Sequence, residues 1–148
     1  MALRWLVSSL HLLALGIGLG SVYVRGQALR GTLDTAGLRR VFIADGFWGL
    51  AGGLWIVTGL WRVLGGQEKG SQYYLHNGFF QAKMTLLALV LLLELFPMLG
   101  LIRWRVQRGK GQPLELASAG KYAAISYVQV ALVLVMVFLA TGMARGLG

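Results

Sequence analysis

Four apolar runs, 5–24, 41–63, 78–102 and 122–143, take up most of this 148-residue chain, and each is 20 to 25 residues long. At about 1.5 Å of rise per residue, a helix of that length matches a hydrocarbon core of roughly 30 Å. In lipid every backbone N–H and C=O must be satisfied within the protein, which leaves helices or a closed barrel. No alternation of apolar and polar residues is sustained over strand-length segments, and this argues against a barrel. The composition, 57% hydrophobic and only 13% charged, falls short of the polar surface a soluble domain needs. The expected fold is therefore all-α, an integral membrane four-helix bundle forming a single transmembrane domain over 1–148.

The formal charge of +9 sits at the ends of the runs rather than on a soluble basic module, so it speaks to topology and not to nucleic acid. Nine Lys or Arg flank the first and third connections (Arg25, Arg30, Arg39, Arg40, Arg103, Arg105, Arg108, Lys110, Lys121), against four on the other side (Arg4, Arg62, Lys69, Arg145). The positive-inside rule then places both termini outside a multi-pass protein of the cell's inner (plasma) membrane. No small-x-small cleavage pattern follows the first run, which is read as a retained helix. Absence of cysteine excludes disulfides, thiolate metal ligands and thioether-linked haem.

Along the first run, Gly16 and Gly20 stand at a spacing that allows close helix approach and, with the glycines of the second run, makes a homodimer conceivable. In the connection 25–40, Asp34 or Thr35 suits a helix N-cap, and Leu29, Leu33 and Ala36 form one face suited to the membrane interface. The second run aligns Asp45, Gly49, Gly52, Ile56 and Gly59 as a smooth groove with a carboxylate at one end. Trp48 and Trp61 suit interfacial anchoring, as do Tyr73 and Tyr74 in the next connection, whereas mid-membrane Trp55 needs a packing partner. Pro97 removes a helical partner from the carbonyl of Leu93 and favours a kink beside Glu94. The fourth run has only Ser126, Gln129 and Thr141 as polar content and reads as a structural wall.

Lys83 and Glu94 are the anomaly within the third run. An ionisable group in hydrocarbon costs roughly 2.5–3.5 kcal/mol on insertion scales, so each should face the bundle interior. Eleven residues separate them, which returns to nearly the same face but about 16 Å along the axis, too far for a direct pair. Depth counting puts His11 level with Lys83 in an outer layer, with Arg62 and His76 nearby, and Asp45 near Glu94 and Arg40 in an inner one. Imidazole is the ordinary axial ligand of haem, a deprotonated amine can serve as one, and cations suit an anionic substituent such as a propionate. Asp45 and Glu94 are placed to relay or store protons. In the bland alternative, Lys83–Glu94 and Asp45–Arg40 only neutralise charge.

The segment from His11 to Arg25, an early His followed by a small-residue, Tyr-containing, Arg-terminated stretch, resembles the first helix of the HemJ-type protoporphyrinogen IX oxidases of bacterial membranes. Phe80-Gln81-Ala82-Lys83 with its Leu-rich continuation to Glu94 is similar to their third helix, and copper-resistance D-type membrane domains share the outline. An uncharacterised bacterial predicted-membrane-protein family of about this length is similar too, and brings no function with it. The oxidase resemblance covers helices one to three and implies a haem b site carried over only to His11 and Lys83. Two departures stand out: Glu94 occupies a position where those oxidases tend to have His, and intramembrane Asp45 is foreign to their pattern.

The expected function is thus a haem b-binding membrane protein with a redox role toward a porphyrinogen-like or quinone-like small molecule. Here His11 ligates iron, Lys83 ligates or neutralises, Arg62 assists binding, and Asp45 and Glu94 handle protons. The competing expectation is a non-enzymatic carrier or interaction module with a buried charge network.

Overall fold

The computed structural model describes residues 1–64 and 76–147. Four long helices make it up: α1 (Ala2–Arg30), α2 (Thr35–Leu64), α3 (Gly78–Gly109) and α4 (Ala119–Ala144). All four are long and apolar enough to span a membrane, and no strand occurs among the described residues. Tyr73 and Tyr74, expected at headgroup level, lie outside the described residues.

Side-chain caps open the second and third of these helices. Asp34 accepts the backbone N–H of Gly37 at 2.8 Å and opens α2, as its position in the sequence suggested. Asn77 does the same for α3 through Phe80 N–H at 3.1 Å, and its amide also donates to the carbonyl of Leu147. α3 runs on through Pro97, whose side chain is fully buried.

The helices outrun the apolar runs at the basic end of the molecule. Residues 25–30 continue α1, so the connection expected from Arg25 onward shrinks to residues 31–34, while α2 begins at Thr35, ahead of the apolar run, as a cap at Asp34 or Thr35 implies. Leu29 does not lie along the interface; it packs with Leu38, Val41, Leu101, Trp104, Ala119 and Ala123 in a core at this end. Trp104 closes that core, its indole donating to the carbonyl of Glu115 at 2.8 Å. Beside it Gly100 lies so close to Tyr122 that a methyl group there would overlap the ring and its hydroxyl.

α1 is the hub. It packs on both α2 and α4, α4 packs on α3, and α2 and α3 have no comparable backbone packing. The buried stripe of α1, Val7, His11, Ala14, Gly18, Val22, Arg25 and Leu29, advances in steps of three and four, the helical signature of an inward face. Gly18 contacts Ala51 and Trp48, whereas Gly16 and Gly20 point away with nothing near. Gly46, Gly49, Gly52 and Gly53 of α2 also have open space before them, so among the described residues the glycines of the expected groove meet a neighbour at Gly59, which touches His11. Large apolar side chains cover the outer surface, among them Leu50 and Phe138, as lipid contact requires.

Candidate functional site

Two polar layers occur inside the bundle, at the depths the sequence suggested but with a different centre. In the inner layer the centre is Arg25, which hydropathy had left in a connection. Its side chain has no exposed surface, and all five guanidinium N–H donors are used. Nε donates to Ser126 Oγ at 3.0 Å; Nη1 donates to Asp45 Oδ1 and Glu94 Oε2, both at 2.9 Å; Nη2 donates to Glu94 Oε1 at 2.9 Å and Gln129 Oε1 at 2.8 Å. Glu94 is held by a bidentate fork and also accepts from Trp48 Nε1 and Gln129 Nε2, each at 3.1 Å.

One residue of α1 thus ties Asp45 of α2, Glu94 of α3 and Ser126 and Gln129 of α4 into a single network. A charge this deeply buried requires such pairing, because desolvation costs several kcal/mol per ion. Asp45 has a second cationic partner in half-exposed Arg105, at 3.3 Å, while Arg40, its expected partner, is exposed. α4 is correspondingly more than a wall: Ser126 and Gln129 are fully buried and oriented, with Ser126 donating on to the carbonyl of Tyr122 and Gln129 to that of Val90.

The outer layer is built on Trp55. His11 stacks on its ring at 5.1 Å between centroids and 15° between planes, and Lys83 Nζ sits 5.1 Å from the ring centroid. Lys83 and Glu94 therefore take different partners, as their separation along α3 demands. His11 Nδ1 lies 2.8 Å from Thr58 Oγ1, which itself lies 2.8 Å from the carbonyl of Leu54. The hydroxyl has one proton; given to Leu54, it leaves the oxygen to accept Nδ1–H, and Nε2 becomes the basic atom of the neutral ring.

His11, Arg62 and Lys83 line one cavity of about 340 Å³ at the end of the bundle that carries the termini, together with Phe80, Met84, Met136 and Met143. His76 is exposed and is not among the residues that line it. A second, wholly apolar cavity of about 60 Å³ lies deeper, bounded by Ala14, Gly18, Gly52, Val133 and both Trp48 and Trp55. Trp48 touches the inner network and Trp55 the outer layer, so this dry stretch separates the two polar layers. No group of three or more His, Cys, Asp or Glu that could hold a metal ion occurs among the described residues; any iron site here would rest on a single imidazole.

A bundle of four membrane-length helices with ionisable groups turned inward defines a multi-pass membrane protein. The chain belongs to the family described as Predicted membrane protein (DUF2214), a family of unknown function, which matches residues 3–148. No curated protein and no solved structure matches it.

Proposed function

We propose that this membrane protein binds haem b in the cavity lined by His11, Arg62 and Lys83 and serves a redox role toward a porphyrinogen-like or quinone-like molecule. The observation that carries the reading is the His11–Thr58 hydrogen bond of 2.8 Å. Ligating histidines characteristically donate their second ring N–H to an orienting acceptor, which fixes the tautomer and raises the basicity of the other nitrogen. Met84, Met136, Met143 and Lys83 line the same cavity and belong to side-chain types that can supply a second axial ligand. Arg62 and Lys83 suit propionates. Bound haem would supply a one-electron iron couple, while Asp45 and Glu94 would hold protons at the inner layer. The termini, by the charge bias, lie outside.

Expression with ample haem tests this. The purified protein is expected to show a Soret band that disappears in His11→Ala and weakens in Thr58→Val; a colourless protein overturns the reading. With haem present, aerobic against anaerobic turnover of protoporphyrinogen separates an oxidase from a carrier.

A second reading, a non-enzymatic carrier or interaction module, is favoured by the complete use of the Arg25 donors. A saturated clamp suits a static tie better than a proton relay. Under it, Asp45→Asn and Glu94→Gln lower stability and leave any turnover per folded molecule unchanged.

A further inference from the structure

Residues 30–40 and 103–121, at the basic end of the bundle, hold eight Lys or Arg against two acids, Asp34 and Glu115. Arg30 and Lys121 each rest singly on a ring, that of Tyr127 and that of Phe96. Two other cations converge. Arg105 and Arg108, one turn apart on α3, both set their guanidinium against the ring of Phe42 on α2, at 5.1 Å and 5.7 Å from its centroid. Arg105 is fixed there, because its Nη2 donates to the carbonyl of Phe42 at 3.1 Å and to Asp45 Oδ2 at 3.3 Å. Arg108 is exposed and has the ring but no ion pair among the described residues. Exposed Arg39 stands one turn before Phe42 on the same face of α2.

Like charges on successive turns repel, and the one carboxylate within reach, Asp45, meets Arg105 alone and is already shared with Arg25. From this convergence we infer that the end of the α2–α3 seam holds the headgroup of an anionic phospholipid, its phosphate accepting from Arg108 and Arg39. Guanidinium donors match phosphate oxygens, and basic pockets between spanning helices hold acidic headgroups. The level fits: Arg108 is in the last turn of α3, and Arg39 precedes the apolar part of α2. Exposed Ile43 and Phe47 follow Phe42, and exposed Ile102 and Val106 neighbour Arg105, so an anion meeting these arginines sits at the edge of a lipid-contacting surface rather than in open water. The acyl chains lie in hydrocarbon whether or not the lipid is bound, and the preference comes from the headgroup. Once bound, the phosphate bridges α2 to α3, a pair without the backbone packing of the other neighbours. The site is separate from the cavity of His11 and needs no haem.

Native mass spectrometry of the full chain in detergent tests this, with phosphatidylglycerol and phosphatidylcholine of identical chains as competing probes. The first lipid bound is expected to be the anionic one by roughly twentyfold, at about fivefold for each of two cations near the surface, and the preference to shrink at high salt. Arg108→Gln and Arg39→Gln are each expected to lower it about fivefold. Arg30→Gln and Lys121→Gln remove a charge from the same end of the molecule but away from Phe42, and are expected to leave it unchanged. All four positions are exposed, so the variants are expected to fold, which circular dichroism checks. Added phosphatidylglycerol is also expected to raise the melting temperature of the wild type more than that of Arg108→Gln. Equal losses in all four variants would mean a diffuse positive field and overturn the inference, as would the absence of any preference for the anionic lipid. Displacement of the lipid by soluble glycerol phosphate at matched concentration would make the site one for a free anion and overturn it too.

Discussion

Arg25 carries a permanent charge with no exposed surface, and its position is tolerable only because two carboxylates, a hydroxyl and an amide oxygen meet every donor it has. Removing it leaves half-buried Asp45 and Glu94 as neighbouring carboxylates, with only Asp45 keeping a cation in Arg105, and breaking a buried pair costs about 3–5 kcal/mol. Arg25→Met should therefore lower the unfolding free energy in detergent by about that amount. Arg25→Lys keeps the charge but offers three donors on a point, so it should lose about 1–3 kcal/mol through the oxygens left unmet. Thermal or denaturant unfolding followed by circular dichroism gives both values. Equal effects of the two substitutions would mean that charge alone matters and the fork does not. The residue was readable in the sequence: it continues the stripe Val7, His11, Ala14, Gly18, Val22 at helical spacing. Hydropathy ended the helix at Val24, because one arginine among apolar residues looks like a boundary.

At the scale of helices, the glycines sort by what stands opposite them, which a single sequence does not record. Spacing singled out Gly16 and Gly20, yet both face away from the bundle, and Gly18 between them faces Ala51 and Trp48. Gly100, which carries no spacing signal, lies hard against Tyr122 where α3 meets α4. Gly100→Ala is expected to push that ring aside and cost about 1–3 kcal/mol, with most of the loss recovered in a Tyr122→Ser background. Gly16→Ala and Gly49→Ala are expected to be neutral or stabilising by up to about 1 kcal/mol, as helix propensity predicts. Melting temperatures of the purified variants check the contrast, and a destabilising Gly16→Ala would reveal a helix packed there in the membrane. Helix number and type were legible because bilayer thickness imposes run length. The pairing of His11, Lys83 and Arg62 at one depth, and of Asp45 with Glu94 at another, followed from counting rise per residue. Ser126 and Gln129 stand out in the sequence as polar content of the fourth run, but their role does not, because uncharged polar residues in an apolar helix carry no signal until a partner is known.

Across the whole molecule, the two polar layers are assigned to opposite ends by the structure, and to opposite leaflets only by the charge bias. The cavity of His11, Arg62 and Lys83 lies at the end shared by the termini, and the Arg25 network lies toward the end carrying Arg30, Arg39, Arg40, Arg103, Arg105 and Arg108. With basic connections held in the cytoplasm, as the charge bias predicts, the cavity faces the outer leaflet. Because the chain has no cysteine, single introduced thiols read the topology without background. Gln112 is exposed in the α3–α4 connection, and Leu147 is exposed beyond α4. A membrane-impermeant maleimide applied to intact cells, with the outer membrane permeabilised where there is one, should label Leu147→Cys and spare Gln112→Cys until the inner membrane is lysed. The opposite pattern would turn the cavity toward the cytoplasm. It would make this chain an exception to the positive-inside rule despite a nine-to-four excess of basic residues in and flanking the first and third connections, and would open the cavity to the inner leaflet.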